Sequence, residues 1–198
     1  MNSLSRRITL ALAFSSAVIL GGCAAINAQN PSGNLRPVNA HVVGEQSTVM
    51  LKGHDVVAYF TQGKHAQGDA KFASTFENIN FHFATPEHKA LFDKEPAKYI
   101  PQYGGYCANG VAYGIPWGGD ADTWRIEGGK LYIFGGKESK EAFELDVPGN
   151  MKLAQQYWDS EIKGNNSFIQ RSKRIVFKVP HYRSGEELAK MVAESKKK

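Results

Sequence analysis

The residues of this sequence that are best suited to bind a metal ion are Cys107 and a small set of histidines. A cysteine thiolate is a ligand for soft ions such as Cu(I), and the imidazole of histidine suits zinc and copper. His54 stands just before the first candidate strand, and His88 stands in the first turn of a candidate helix. If folding brings these segments together, Cys107, His88 and His54 share one site, and we predict that they bind a transition-metal ion.

Cys107 also permits three other interpretations. A lone cysteine in a glycine-rich turn can be a buried, inert side chain, because free cysteines are among the most buried residues. With a nearby histidine it can act as a nucleophile, although the sequence has no Cys-x-x-Cys pair and no recognisable acid partner. The third interpretation is a non-catalytic interaction module, since tyrosine and tryptophan favour interfaces. Its candidate aromatic residues are Trp117, Trp124, Tyr103, Tyr106 and Tyr113.

The first residues have the pattern of a bacterial export signal. Arg6 and Arg7 precede an apolar run over residues 8–20, which is too short to span a bilayer and has the length of a signal-peptide core. The run ends in Leu20-Gly21-Gly22-Cys23, which resembles a lipobox. That resemblance implies cleavage after residue 22 and lipidation of Cys23. The membrane partner is then reached through the lipid, and Ala24 favours an outer-membrane, periplasm-facing location.

Charge and cysteine content bear on two further properties, a nucleic-acid partner and a disulfide bond. Without residues 1–22, the chain has 22 basic against 19 acidic residues, a formal charge of +3. A basic tail ends the chain, but the export signal argues against a nucleic-acid partner. If Cys23 is acylated, Cys107 is the remaining thiol, so no intramolecular disulfide is expected.

The hydropathy pattern predicts an α+β fold with a small, mostly antiparallel sheet and packed helices, in a single domain. We expect strands at residues 56–60, 71–76 and 79–83, with Ile79, Phe81 and Phe83 on one face and His82 exposed on the other. Thr85-Pro86 is a good helix start, and Pro96 begins a second short helix. Gly128-Gly129 predicts a hairpin.

The flanks of that domain are expected to differ from it. Residues 23–46, rich in Asn, Ala, Gln, Pro and Gly, read as a flexible tether between the lipid and a domain over residues 47–163. We expect helices at 137–145 and 151–162, separated by a break at Pro148-Gly149-Asn150. Residues 164–198 are predicted to be an appendage, with a strand at 174–179 and a helix at 184–195.

Residues 53–158 resemble the YHS domain family. The most specific match is Tyr103-Gly104-Gly105-Tyr106-Cys107-Ala108, and supporting matches are Val57-Ala58-Tyr59-Phe60, Phe81-His82-Phe83-Ala84 and Pro148-Gly149-Asn150. Short members of the superfamily bind soft metals through two cysteines, whose places are taken here by Ala84 and His88. Longer exported members that are similar to this chain generally lack the cysteine pair too, so the resemblance carries metal binding over only weakly.

These observations favour a lipid-anchored binding protein over an enzyme. Copper or zinc is the expected ligand, with Cys107 as the central donor and His88 and His54 beside it. Copper is preferred because sulfur is a soft ligand and because the resemblance points the same way. The alternative is an interaction or structural domain without a metal.

Overall fold

Among residues 35–197, which the computed structural model describes apart from the side chain of Ser47, six strands form two sheets. The larger sheet has the order β1-β2-β4-β3, with β1 (Ala40–Val43), β2 (Gln46–Met50), β3 (Asp69–Phe76) and β4 (Ile79–Phe83). β2 and β4 run parallel, whereas β1 and β2, and β3 and β4, are antiparallel. The smaller sheet is an antiparallel hairpin of β5 (Asp120–Glu127) and β6 (Lys130–Phe134).

Helices cover the two sheets and continue to the end of the described chain. They are α1 (Ala58–Thr61), α2 (Pro86–Lys94), α3 (Pro96–Tyr99), α4 (Ala108–Ala112), α5 (Lys137–Glu144), α6 (Val147–Tyr157), α7 (Ser167–Val176) and α8 (Gly185–Ser195). Short 3₁₀ turns occupy Leu51–Gly53 and Gln102–Gly105, and a π-helical turn, Trp158–Ile162, extends α6. The predicted α+β class, with a small and mostly antiparallel sheet in a single domain, is confirmed.

The predicted inner face of β4 is the centre of the first hydrophobic cluster. Ile79, Phe81 and Phe83 are at most 1% exposed. Phe92 of α2 lies against them, with ring centroids 4.6 Å from Phe81 and 5.0 Å from Phe83. The period-two pattern therefore identified the buried face correctly.

His82 lies on the opposite face of β4, but the prediction that it is exposed was wrong. It is 2% exposed, because Gly53 and Gly68 allow their backbones to cover it. A Cβ at Gly68 would lie 2.5 Å from the carbonyl carbon of His82. The imidazole Nε2 lies 2.5 Å from the Gln46 Oε1 atom, so its polar edge is satisfied.

Local signals placed several elements correctly. The Thr85 hydroxyl accepts a hydrogen bond from the His88 amide at the start of α2, with Pro86 in the first turn. Gly128 and Gly129 have φ angles of 57° and 74° in the β5–β6 turn, as the hairpin requires. α8 begins with a capping box between Ser184 and Glu187.

The predicted strand at residues 56–60 is instead the start of α1. The Asp55 Oδ1 atom accepts hydrogen bonds from the amides of Val57 and Ala58, which begins a helical turn. The run is apolar because Val56, Val57, Ala58 and Tyr59 are all buried, and this continuous burial removes the periodicity that separates a helix from a strand.

Two predictions in the C-terminal half were also wrong. Residues 148–150 do not break the chain, because the Asp146 carboxylate accepts the Gly149 amide and Pro148 is tolerated in the first turn of α6. Residues 174–176 end α7 rather than begin a strand. The Asn166 side chain caps this helix by accepting the amides of Phe168 and Ile169.

The folded part of the chain begins before residue 47, so the tether predicted for residues 23–46 is too long. Asn39 donates its backbone amide to the Gly104 carbonyl at 2.8 Å, and the Tyr106 hydroxyl donates to the Val38 carbonyl at 3.2 Å. β1 then pairs with β2. Residues 23–34 lie outside the described part.

The C-terminal segment packs on a second hydrophobic cluster, built around Phe134, Phe143 and Ile162. Val179 belongs to that cluster, and Gln170 of α7 donates to the Gly114 carbonyl at 3.0 Å.

No helix within residues 35–197 combines the length and the apolar character needed to cross a bilayer.

Candidate functional site

The position of Cys107 is determined by the glycine-rich block Tyr103-Gly104-Gly105-Tyr106, which precedes it in the sequence. Tyr103, Gly104 and Gly105 have φ angles of 55°, 61° and 76°, so three successive residues are left-handed. This conformation is easy for glycine and rare for other residues. It turns the chain so that Cys107 becomes the N-cap of α4.

The Cys107 sulfur has two polar neighbours. It accepts a hydrogen bond from the Gly110 amide at 3.4 Å, and it lies 3.0 Å from the Ser139 hydroxyl of α5. The Cys107 amide donates to the Trp117 carbonyl at 2.9 Å, which fixes the backbone beneath the thiol. The residue is 3% exposed. Among the described residues, none of these contacts of the Cys107 sulfur is made by a histidine. The predicted cysteine–histidine nucleophile pair is therefore not formed by these contacts.

A cavity of about 430 Å³ opens above Cys107. Its floor contains Cys107, Gly110 and Ser139, and its far wall comes from the end of α7 and the start of α8. The volume lies within the range of small-molecule binding sites. The remaining walls are mainly aromatic or aliphatic: Tyr113, Ile115, Trp117, Ile175, Tyr182 and Leu188.

The polar rim of this cavity is cationic. Arg174, Lys178 and Arg183 line it, and no aspartate or glutamate of the described chain does. Arg174 is neutralised by Glu161 through a two-pronged ion pair. The Lys178 ammonium lies 4.3 Å from the centroid of the Tyr182 ring. Lys178 and Arg183 therefore supply the positive charge of the rim, which is partly opposed by Glu187, whose pKa both cations help to lower.

Tyr113 adds a hydroxyl to the wall of the cavity. Burial raises the pKa of this phenol, and the Arg183 charge opposes that effect without cancelling it. Its ring stacks on His181, with centroids 5.4 Å apart and planes 24° from parallel. The phenol is therefore neutral at physiological pH and can donate a hydrogen bond.

His88, a predicted metal ligand, is instead bound to the buried carboxylate of Asp55. Its Nδ1 atom lies 2.6 Å from the Asp55 Oδ2 atom, and its Nε2 atom lies 3.0 Å from the Thr61 hydroxyl. The order Asp, His, Thr is that of a catalytic triad. However, the Thr61 hydroxyl also donates to the Val57 carbonyl at 3.1 Å, so its proton is held by the backbone of α1.

His54, the third predicted ligand, lies in a different place. Its Nδ1 atom is 2.9 Å from the Leu51 carbonyl oxygen. It lines a second cavity of about 470 Å³ together with His65, Asp120, Asp122 and Lys137. The rings of His54 and His65 are 6.0 Å apart. This cavity mixes both signs of charge and does not include Cys107.

The predicted metal site of Cys107, His88 and His54 is therefore not assembled. Each of the three residues has its own partners in separate surroundings, because the glycine block directs Cys107 toward α5 while Asp55 retains His88. Within residues 35–197, no group of three or more His, Cys, Asp or Glu side chains is arranged to hold a metal ion. Cys23, the predicted lipidation site, lies outside the described residues.

Comparisons with family models, curated proteins and solved structures gave no match. The resemblance to the YHS family thus depends on the motifs of residues 53–158 alone.

Sequence reasoning missed most of the cavity. Ser139, Lys178 and Arg183 were not singled out, and residues 164–198 were regarded as an appendage. One signal was available: residues 162–185 contain no acid and six basic residues. Those six are Lys163, Arg171, Lys173, Arg174, Lys178 and Arg183.

Proposed function

We propose that this protein is a lipoprotein of the cell envelope, anchored through Cys23, whose α+β domain binds a small organic anion in the cavity above Cys107. The lipobox-like end of the N-terminal segment supports the anchor and a periplasm-facing location at the outer membrane. The motifs of residues 53–158 support a YHS-like domain. The ligand class follows from one observation: the cavity has aromatic and aliphatic walls and a cationic rim without a carboxylate.

The two parts of the cavity suit the two parts of such a ligand. Trp117 and Tyr113 offer flat apolar surfaces to an aromatic or aliphatic portion. Arg183 can hold a carboxylate or phosphate with paired donors, and Lys178 adds a point charge. Arg174 is held by Glu161 and so contributes mainly to the shape of the wall.

The same surroundings disfavour copper or zinc at Cys107. A metal cation there would have one sulfur donor and the Ser139 hydroxyl, and the charges of Lys178 and Arg183 would repel it. A transition-metal site normally gathers three or four nitrogen, sulfur or carboxylate donors. We therefore place the metal function that the sequence suggested second to anion binding.

Charge-selective alkylation of Cys107 tests the proposal. Iodoacetate carries a carboxylate and iodoacetamide is its neutral counterpart, so the ratio of their rates at one thiol measures the local potential. The rate with iodoacetate divided by the rate with iodoacetamide is expected to be higher at Cys107 than at the thiol of glutathione, by on the order of tenfold at low salt. Lys178→Gln and Arg183→Gln should each lower it. Mass spectrometry of the intact, lipidated protein in detergent identifies the modified cysteine.

Lys89→Gln is the matched control, because Lys89 lies on α2, is paired with Asp93 and does not line the cavity. Its ratio should equal that of the wild type. A wild-type ratio equal to that of glutathione would refute anion selectivity. Stoichiometric copper or zinc in protein purified without chelators, lost in Cys107→Ala, would establish the metal function instead.

A further inference from the structure

Helix α7 presents its apolar side to solvent. Ile169 is 66% exposed, Ile175 is 54% exposed and Val176 is 70% exposed. Phe177, directly after the helix, is 68% exposed. An ordinary surface helix buries this side and leaves its polar side in water, so α7 is reversed. We call Phe168, Ile169, Ile175, Val176 and Phe177 the outer face of α7.

The inward side of α7 is polar, and specific hydrogen bonds hold it in place. The Gln170 side chain donates to the Gly114 carbonyl and to Glu161. Arg171 donates to the Pro116 carbonyl at 3.0 Å, and Arg174 is ion-paired with Glu161. Turning the helix to bury its apolar side would break all of these contacts. The exposure of the outer face is therefore built into the docking of α7.

Basic residues flank the outer face along the chain. Lys163 precedes the helix and Lys178 follows it, Lys173 within it is ion-paired with Glu161, and no acid occurs between residues 162 and 185. An apolar strip bordered by lysines is the pattern of helices that lie at a membrane surface. The apolar side chains enter the headgroup boundary, and the ammonium groups attract anionic phospholipids.

The N-terminal segment enters the fold beside this helix. The Arg36 carbonyl accepts a hydrogen bond from the Gly164 amide, three residues before α7 begins. Eleven residues lie between Cys23 and Leu35, so the chain between these two residues can span at most about 40 Å. A lipid on Cys23 would therefore hold α7 close to the bilayer, which raises the effective concentration of the surface that α7 meets.

From this geometry we propose that the outer face of α7 docks onto an anionic phospholipid surface and orients the domain on the membrane. This inference rests on the proposed anchor at Cys23. The basic border favours a lipid surface over a second copy of this chain, because two such borders facing each other would repel.

A tryptophan in place of Phe177 provides the test. The lipidated Phe177→Trp protein is reconstituted in phosphatidylcholine vesicles with about 30% phosphatidylglycerol, and emission is compared with and without bromine-labelled lipid. After the wild-type signal is subtracted, about half of the added emission should be lost to the label. The bromine label should quench this emission less in vesicles of phosphatidylcholine alone. It should also quench the emission less when the vesicles contain phosphatidylglycerol but the salt concentration is high.

Val42→Trp is the matched control, since Val42 is 72% exposed but lies on β1, and its emission should stay unquenched. Absence of quenching at position 177, in protein whose lipid is verified by mass spectrometry, would overturn α7 docking and leave the anchor intact. Position 177 shielded from lipid by a second copy, detected by crosslinking, would overturn it as well. Absence of lipid on Cys23 would instead refute the anchor on which this proposal rests.

Discussion

Asp55 is a fully buried carboxylate whose hydrogen-bond donors belong to three neighbouring segments. One oxygen accepts the amides of Val57 and Ala58 at the start of α1. The other accepts the Ala84 amide after β4 and faces the His88 Nδ1 atom of α2. A single side chain thus connects α1, β4 and α2, so its role is to hold the architecture together.

Asp55→Asn should destabilise the protein by about 2–4 kcal/mol, because it removes the charge and places an amide group against donors. The measurement is the free energy of unfolding from chemical denaturation. Asp69→Asn is the control: this exposed carboxylate pairs with Lys71 in solvent, so its loss should change the free energy of unfolding far less. Equal effects of the two substitutions would show that the Asp55 contacts do not stabilise the fold.

Sequence reasoning at this scale identified the reactive side chains but not their partners. Cys107 and His88 were recognised from their chemistry. Ser139 and Asp55, which they actually contact, lie 32 and 33 residues away along the chain. Residue type indicates what a side chain can do, whereas its partner depends on the tertiary fold.

Among the secondary-structure elements, α7 depends on one carboxylate for its reversed orientation. Glu161 accepts hydrogen bonds from Gln170, Lys173 and Arg174. Burial acts to raise the pKa of Glu161, but these three donors outweigh it, so the pKa lies below its ordinary value. A depressed carboxyl pKa stabilises the folded state above the ordinary value, and this stabilisation is lost as the pH falls through the folded-state pKa.

Glu161→Gln should therefore lower the melting temperature at pH 7, with a loss of about 1–2 kcal/mol. The difference from the wild type should narrow as the pH falls from the ordinary glutamate pKa through the lower pKa of Glu161 in the folded state, because the wild-type carboxylate then becomes protonated. Thermal denaturation followed by circular dichroism at a series of pH values checks this. Glu194→Gln, at an exposed position on α8, is the control and should lower the melting temperature at pH 7 much less.

Local patterns explain which elements were predictable. β3, β4, the β5–β6 hairpin, α2 and α8 each have their own alternation, cap or turn signal, and all were anticipated. The runs at residues 56–60 and 174–179 have apolar residues without a clear period. The Asp55 carboxylate, which accepts the amides of Val57 and Ala58, favours a helical turn in the first run. Asn166 caps the helix that includes residues 174–176 of the second run. Neither role was recognised from the sequence.

For the whole molecule, the glycine block joins the N-terminal segment to the cavity. Gly104 packs directly on that segment, since a Cβ there would lie 2.3 Å from the Pro37 carbonyl oxygen. Two positions after Gly105, the same block delivers Cys107 to the cavity floor. The integrity of the site is therefore coupled to residues 36–39, which the sequence had suggested were outside the domain.

Comparing Gly104→Ala with Gly63→Ala separates two contributions to the loss of stability, the contact of residue 104 with Pro37 and the strain of a positive φ angle. Both glycines have positive φ angles, 61° and 64°, but a Cβ at Gly63 would have no neighbour within 4 Å. Gly63→Ala should cost about 1 kcal/mol from strain, and Gly104→Ala should cost at least about 2 kcal/mol more. Denaturation midpoints provide the comparison, and equal losses would show that contact with Pro37 is unimportant.

The α+β class was predictable because it is the sum of local patterns. The cavity was not, because its lining combines Cys107, Ser139, Lys178 and Arg183 from segments whose packing no local signal specifies. In the α7–α8 segment, Ile169, Ile175, Val176 and Phe177 are exposed whereas Val179 and Val192 are buried, so the most apolar run of the segment does not mark its contact with the core.

The hydrogen bonds of residues 36–39 also determine how the domain would bear mechanical load. Among the described residues, a pull on a lipid at Cys23 would act on Leu35, which packs on the first hydrophobic cluster, and on Arg36, which is bonded to Gly164. The next residues are bonded to Gly104 and Tyr106, and the chain then continues into β1. Tension would thus be divided between the helical layer and the sheet, so the chain would resist being peeled off one bond at a time.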